Sequence, residues 1–173
     1  MEPLDEYLGD CRRFQRETFV QAHPHPWLLL AVTQDDTSER WRAFRTTSIN
    51  SKILSRHGDL PAVAEGYRVL EIAKTADNPW RNRISVGRAR NNDMVIRDRS
   101  VSKLHAHFSI DASGQATLTD AGSRNGTRVN GERLQGSDAV ALVSGDELRI
   151  GRIEAVFQTS AGFYDFLAGM LTE

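Results

Sequence analysis

Residues 84–131 read ISVGRARNNDMVIRDRSVSKLHAHFSIDASGQATLTDAGSRNGTRVNG, and this stretch decides the fold. Short runs of Val, Ile, Leu and Phe are cut every few residues by Gly, Asn, Asp and Ser. Runs this short suit strands and are too brief for helices, and the polar residues between them are turn formers. Working outward, the same texture extends from Tyr67 to Gln158. Expected strands are Tyr67–Ala73, Ile84–Val86, Met94–Ile96, Ala106–Ile110, Ala116–Thr119, Thr127–Val129, Ala139–Leu142, Glu147–Ile150 and Glu154–Gln158. No helical pattern lies between them to carry a parallel crossover, so the expectation is a mainly β, antiparallel sandwich or barrel.

Both flanks differ from this core. Over Leu4–Ala22 the residues Leu4, Tyr7, Leu8, Cys11, Phe14, Thr18 and Phe19 recur at spacings of three and four, which predicts one amphipathic helix. His23-Pro24-His25-Pro26 ends it, because each proline turns its predecessor away from helical geometry. Trp27–Val32 reads as a buried strand, 33–39 as a polar loop and 40–47 as a return strand or short helix. Residues 48–66 read as a linker. At the other end Phe163, Phe166, Leu167 and Met170 form a helical stripe within Gly162–Leu171. The expected organisation is an N-terminal α+β extension over 1–66, a β domain over 67–159 and a short C-terminal helix over 160–173.

Composition removes several function classes. The chain has 173 residues, 26% of them charged, and a net charge of -1, which argues against a global grip on nucleic acid or an anionic membrane. The single cysteine, Cys11, excludes an intrachain disulfide and a Cys-based zinc cluster. The longest apolar run is too short for membrane insertion, and the first residues lack a signal-peptide pattern, so a cytoplasmic location is expected. The charge is nevertheless uneven. Residues 81–103 hold seven basic groups (Arg81, Arg83, Arg88, Arg90, Arg97, Arg99 and Lys103) and two acids (Asp93 and Asp98). Such a stretch is either a solvated face or a local anion site.

The chemistry-bearing residues recur in a fixed order. Gly87-Arg88 follows a strand; then come Ser102-Lys103-Leu104-His105, Ser123-Arg124-Asn125-Gly126-Thr127, Asn130-Gly131, Gly145-Asp146 and Ile150-Gly151. An arginine fork matches phosphate oxygens and keeps its charge. A serine hydroxyl donates one hydrogen bond, and an asparagine amide offers donor and acceptor together. Loops at one end of a sandwich can bring such groups to one place.

This ordered set resembles the forkhead-associated (FHA) domain, over roughly residues 67–159. The resemblance implies a two-sheet β-sandwich that binds phosphothreonine peptides in Ser/Thr kinase signalling and is not an enzyme. It also implies roles: Arg88 and Ser102 reach the phosphate, with Lys103 adding a point charge. Asn125 holds the peptide main chain, and Arg124, at a variable position, reads a neighbouring ligand side chain. His105 is the histidine that stabilises the loops. Ser123 and Thr127 cap their loop, Gly87 belongs to the scaffold, and Asn130-Gly131 forms a type I′ hairpin that buttresses the site. Ser100 stands where some members carry a further basic residue, for which Arg97 or Arg99 would compensate.

No cofactor is expected. The implied partner is a phosphothreonine protein, a Ser/Thr kinase or its substrate, with self-association open. The rival reading is a phosphate-independent interaction scaffold on the same fold. A third, remote reading takes His105 and His107 as a metal pair, although a zinc site wants three or four ligands. In the loop before the linker, Asp36 stands three places after Thr33, so a phosphorylated Thr33 docking onto Arg88, Ser102 and Asn125 competes with the plainer reading of Thr33 as a hairpin-loop residue.

Overall fold

A computed structural model of the chain describes residues 2–31, 67–76 and 78–171. The expectations for residues 33–66, Thr33 among them, lie outside the described residues. The elements in order are β1 (Glu2–Pro3), α1 (Asp5–Arg13), α2 (Arg16–Ala22), β2 (Trp27–Ala31), β3 (Tyr67–Glu71), β4 (Ile84–Gly87), β5 (Met94–Val95) and β6 (Ala106–Ile110). They continue with β7 (Ala116–Asp120), β8 (Thr127–Val129), β9 (Glu132–Arg133), β10 (Ala139–Ala141), β11 (Glu147–Ile150), β12 (Ile153–Gln158) and α3 (Ser160–Leu171).

The strands form two sheets. One runs β1-β3-β2-β12-β11-β8-β9, the other β10-β7-β6-β4-β5. Their facing sides enclose a core that includes Leu28, Ile84, Val86, Ile96, Phe108, Leu118, Leu148, Ile150 and Phe157. Alternate residues of β2 serve two layers, because successive strand side chains point to opposite faces. Leu28 and Leu30 enter the sandwich core, whereas Trp27 and Leu29 face the helices. This double burial explains why 27–30 is an unbroken apolar run. β2 pairs with β3 (Leu29 opposite Val69) and with β12 (Leu29 opposite Val156). A division of the chain after residue 66 therefore cuts through one sheet.

The helices build a second core on the outer face of the larger sheet, from Leu4, Tyr7, Cys11, Phe19, Trp27, Leu29, Val69, Val156, Phe163 and Leu167. Each fully buried Leu or Phe there contributes about 2–3 kcal/mol. The expected single helix over Leu4–Ala22 is two helices. Phe14 closes α1 in an extended conformation, and Gln15, also extended, opens α2. The break lets Tyr7 and Phe19, which sit on different helices, both stack near Phe163. Among the described residues, no helix is long and apolar enough to cross a membrane.

The second correction concerns strand direction. β5 pairs with β4 in parallel, Val86 opposite Met94 and Gly87 opposite Val95, although only residues 88–93 connect them. Asp93 makes this tight return possible. Its carboxylate, whose side chain is wholly buried, accepts from Ser85 N–H (2.7 Å) and Oγ (3.1 Å), Thr75 N–H (2.8 Å) and Oγ1 (2.9 Å), Asn78 Nδ2 (2.5 Å) and Lys74 Nζ (3.1 Å). It pins the end of the loop back onto β4.

An acid-stability prediction follows from this carboxylate. Burial pushes the Asp93 pKa up, but the Thr75 and Ser85 N–H donors, the Thr75 hydroxyl and Lys74 outweigh it and hold the group at about 2, below the ordinary 3.8. The folded state thus binds a proton less readily than the unfolded chain. The stabilisation is complete above pH 3.8 and disappears as pH falls towards 2. It amounts to about 2 kcal/mol. Urea unfolding of wild type and Asp93→Asn across this acid range should show a shallower loss for the variant. Parallel curves would contradict it.

Candidate functional site

Three connections gather at one end of the sandwich: residues 88–93 after β4, 96–105 before β6, and 121–126 between β7 and β8. The first two lie against each other because Gly87 has no side chain. A β-carbon there would strike the Lys103 carbonyl oxygen and sit 2.7 Å from Asn92 Nδ2. The close approach lets Arg88 N–H donate to Ser102 O (2.9 Å) and Ala89 N–H to Lys103 O (3.1 Å). Asn92 Nδ2 adds bonds to Lys103 O (2.7 Å) and Ala89 O (2.8 Å).

Arg88 is exposed at this junction, and its Nε donates to Val101 O at 3.2 Å. One edge of the guanidinium is thereby fixed while the terminal nitrogens stay available. Ser102 sits one residue along the opposing segment, half-buried, and its Oγ accepts from Arg124 N–H at 3.0 Å. The hydroxyl proton remains to be donated outward. Lys103 and Arg124 present exposed side chains beside it. Asn125 is also exposed, and its Nδ2 donates to Ser100 O at 2.6 Å. One amide hydrogen secures the loop, leaving the other hydrogen and the oxygen for a ligand.

His105 is fully buried beneath these loops. Its Nδ1 accepts from Ser102 N–H (3.0 Å), so Nε2 carries the proton and donates to Gly126 O (3.1 Å). The ring therefore bridges the Ser102 and Asn125 loops with both nitrogens engaged, which leaves neither for a metal shared with half-buried His107. Burial pushes the imidazole pKa down, against the Gly126 carbonyl and the Asp120 charge, which favour the protonated form.

Asp120 organises the third loop, a role the sequence pattern did not reveal. Its carboxylate accepts from Ser123 N–H (2.9 Å) and Oγ (2.7 Å), Gly122 N–H (3.0 Å) and Thr127 Oγ1 (2.6 Å). Ser123 Oγ in turn accepts from Gly126 N–H at 2.9 Å. Burial opposes ionisation of Asp120, but the Thr127 and Ser123 donors, with His105 nearby, win and hold its pKa below 3.8.

Other sequence candidates fall elsewhere. Asn130 has φ 51° and Gly131 φ 85°, as a type I′ turn requires. Asn130 Nδ2 donates to Asp146 Oδ1 (2.9 Å) and its Oδ1 accepts from Glu147 N–H (2.9 Å). It braces the far end of β8, away from the loop cluster. Ser100 is a buried joint: its Oγ donates to Asp98 and accepts from Arg152 N–H (2.9 Å). Arg90, missed as an individual candidate, joins Arg88, Arg97, Asp98 and Arg99 around one surface pocket. The excess of positive charge over 81–103 was the available signal.

Residues 84–151 match the family described as FHA domain. The glycogen accumulation regulator GarA of Mycolicibacterium smegmatis is 40% identical over 75 residues, covering 43% of this chain and 45% of that protein. The transcriptional regulatory protein EmbR of Mycobacterium tuberculosis is 39% identical over 77 residues, covering 44% of this chain and 19% of that protein. The matched region thus spans less than half the length of either relative. A solved structure of Mycobacterium tuberculosis EmbR in complex with a low-affinity phosphopeptide aligns with a TM-score of 0.45 and 31% identity, covering 56% of this chain and 23% of that one.

Proposed function

We propose that this chain, whose residues 84–151 match the FHA domain family, recognises phosphothreonine in a partner protein of Ser/Thr kinase signalling, as a cytoplasmic binding module without a reaction of its own. The observation that supports the reading is the bond between Arg88 N–H and Ser102 O at 2.9 Å, which makes backbone neighbours of the residue that carries the guanidinium fork and the residue that carries the serine hydroxyl. The Arg88 fork and Ser102 hydroxyl take the phosphate oxygens, and Lys103 adds a mobile charge. Asn125 bonds the extended peptide backbone, with Arg124 next to it facing a ligand side chain. Gly87, His105 and Ser123 hold the three loops in register, and Asn130 stiffens the hairpin behind them.

Binding then consists of replacing phosphate hydration by protein donors already in place, so little ordering cost remains. The proposed unit is the sandwich of 67–159, to which the N-terminal extension contributes β2 and the helical layer, with the C-terminal helix packed beside it.

The deciding experiment captures peptides from a phosphothreonine library on the full chain, before and after phosphatase treatment. Capture that disappears with the phosphate supports the reading. Equal capture after dephosphorylation would replace it with the phosphate-independent scaffold.

A further inference from the structure

The pocket that Arg88 shares with Arg90, Arg97, Asp98 and Arg99 holds more positive charge than one phosphate uses. Arg88 and Arg90 lie two residues apart on one loop, Arg97 and Arg99 two apart on the next. Ile96 N–H to Gly87 O (3.0 Å) and Arg88 Nε to Val101 O (3.2 Å) hold the two segments together, so all four arginines line the same pocket. Arg88, Arg90, Arg97 and Arg99 are all exposed.

The single carboxylate lining that pocket does not answer them. Asp98 is buried, and its Oδ1 accepts from Ser100 N–H (2.7 Å) and Ser100 Oγ (2.5 Å). Among the described residues none of the four guanidinium groups forms an ion pair. The fold therefore receives no ion-pair stabilisation from gathering four like charges. A phosphothreonine brings about -1.5 to -2 charges, whereas the four arginines less Asp98 leave a formal surplus of three positive charges. One phosphate held by Arg88 and Ser102 leaves the far side of the pocket uncompensated.

We propose that Arg90, Arg97 and Arg99 form a second anion subsite, which takes a phosphate or carboxylate side chain close to the phosphothreonine on the same peptide. The proposal rests on the phosphothreonine reading. Guanidinium forks donate to both anions, since each offers two acceptor oxygens in one plane at matching spacing.

The test uses a synthetic peptide library with one fixed phosphothreonine. Each neighbouring position in turn carries a second phosphothreonine, a glutamate or an alanine. Affinity for the full chain is measured by fluorescence polarisation. At one neighbouring position the second phosphate should tighten binding at least about tenfold over alanine, the equivalent of one charge-assisted hydrogen bond. In the triple variant Arg90→Gln, Arg97→Gln, Arg99→Gln that ratio should fall below about twofold, while the melting temperature reports that the fold is intact. A comparable glutamate gain identifies a carboxylate as sufficient; a gain with phosphate alone identifies a doubly phosphorylated ligand. A gain below twofold at every position, or one that survives in the triple variant, overturns the subsite. Failure of the phosphothreonine reading has a different signature: the alanine-form peptides bind no better than their dephosphorylated counterparts.

Discussion

Arg88→Ala is expected to weaken phosphothreonine-peptide binding by at least about a hundredfold while leaving the fold intact. The guanidinium supplies two charge-assisted hydrogen bonds, each worth about 1.5–3 kcal/mol, and a hundredfold is about 2.8 kcal/mol. The side chain is exposed, so its truncation opens no core cavity. Its side chain makes one bond within the protein, from Nε to Val101 O, so truncation removes a single internal hydrogen bond. Replacing the ligand phosphothreonine by glutamate should act similarly from the other side, because a carboxylate brings one charge and two oxygens where phosphate brings nearly two and three. Isothermal titration calorimetry with matched peptides measures both. Wild-type affinity in Arg88→Ala would show that the rim around Ser102 is not where phosphate binds.

His105→Ala is expected to act on stability first, costing about 4 kcal/mol. The imidazole is fully buried, and its loss leaves a cavity together with an unpaired Ser102 N–H, and takes from the Gly126 carbonyl one of its two donors, the other being Gly151 N–H at 3.2 Å. Large-to-small core changes and orphaned buried groups each cost about 1–4 kcal/mol. Urea denaturation followed by tryptophan fluorescence measures it. A loss below about 1 kcal/mol would mean that the ring does not join the loops. The same residue links stability to pH. Burial keeps its folded pKa below the ordinary 6.5. Its contribution is therefore complete above pH 6.5 and falls as pH drops through the folded pKa, where a protonated Nδ1 no longer accepts from Ser102 N–H. Peptide affinity should decline over the same interval for two reasons, since phosphate takes up its second proton near pH 6.

The part of the site legible in the sequence was the part whose chemistry is local. Gly87 reads as a scaffold residue, and the structure gives the reason: the Lys103 carbonyl is what a β-carbon there would meet. Asn130-Gly131 names its own turn, and both residues have positive φ. Arg88 and Ser102 were recognisable because an ordered set of turn and donor residues surrounds them. The carboxylates were not legible. Asp93, Asp98 and Asp120 look alike in sequence, yet each is consumed by a different group of N–H and hydroxyl donors. Which aspartate faces donors, and which faces the arginines, depends on chain segments that meet only after folding.

By itself the sequence located most of the strands to within a residue or two, though not the two-residue β1 and β9, and identified which residues turn the chain, because a pleat of period two and the left-handed preference of Asn and Gly act within a few residues. It did not determine which strands become neighbours. Trp27–Ala31 is placed between β3 and β12, two helices replace one beneath Phe163, and β4 takes a parallel partner across six residues. These choices belong to the tertiary structure. Each is settled by contacts between distant segments: Trp27 packing on Phe163, and Asp93 gathering donors from Lys74 to Ser85. Burial of an apolar face and satisfaction of a buried charge are properties of the assembled layers, and no short window of residues contains them.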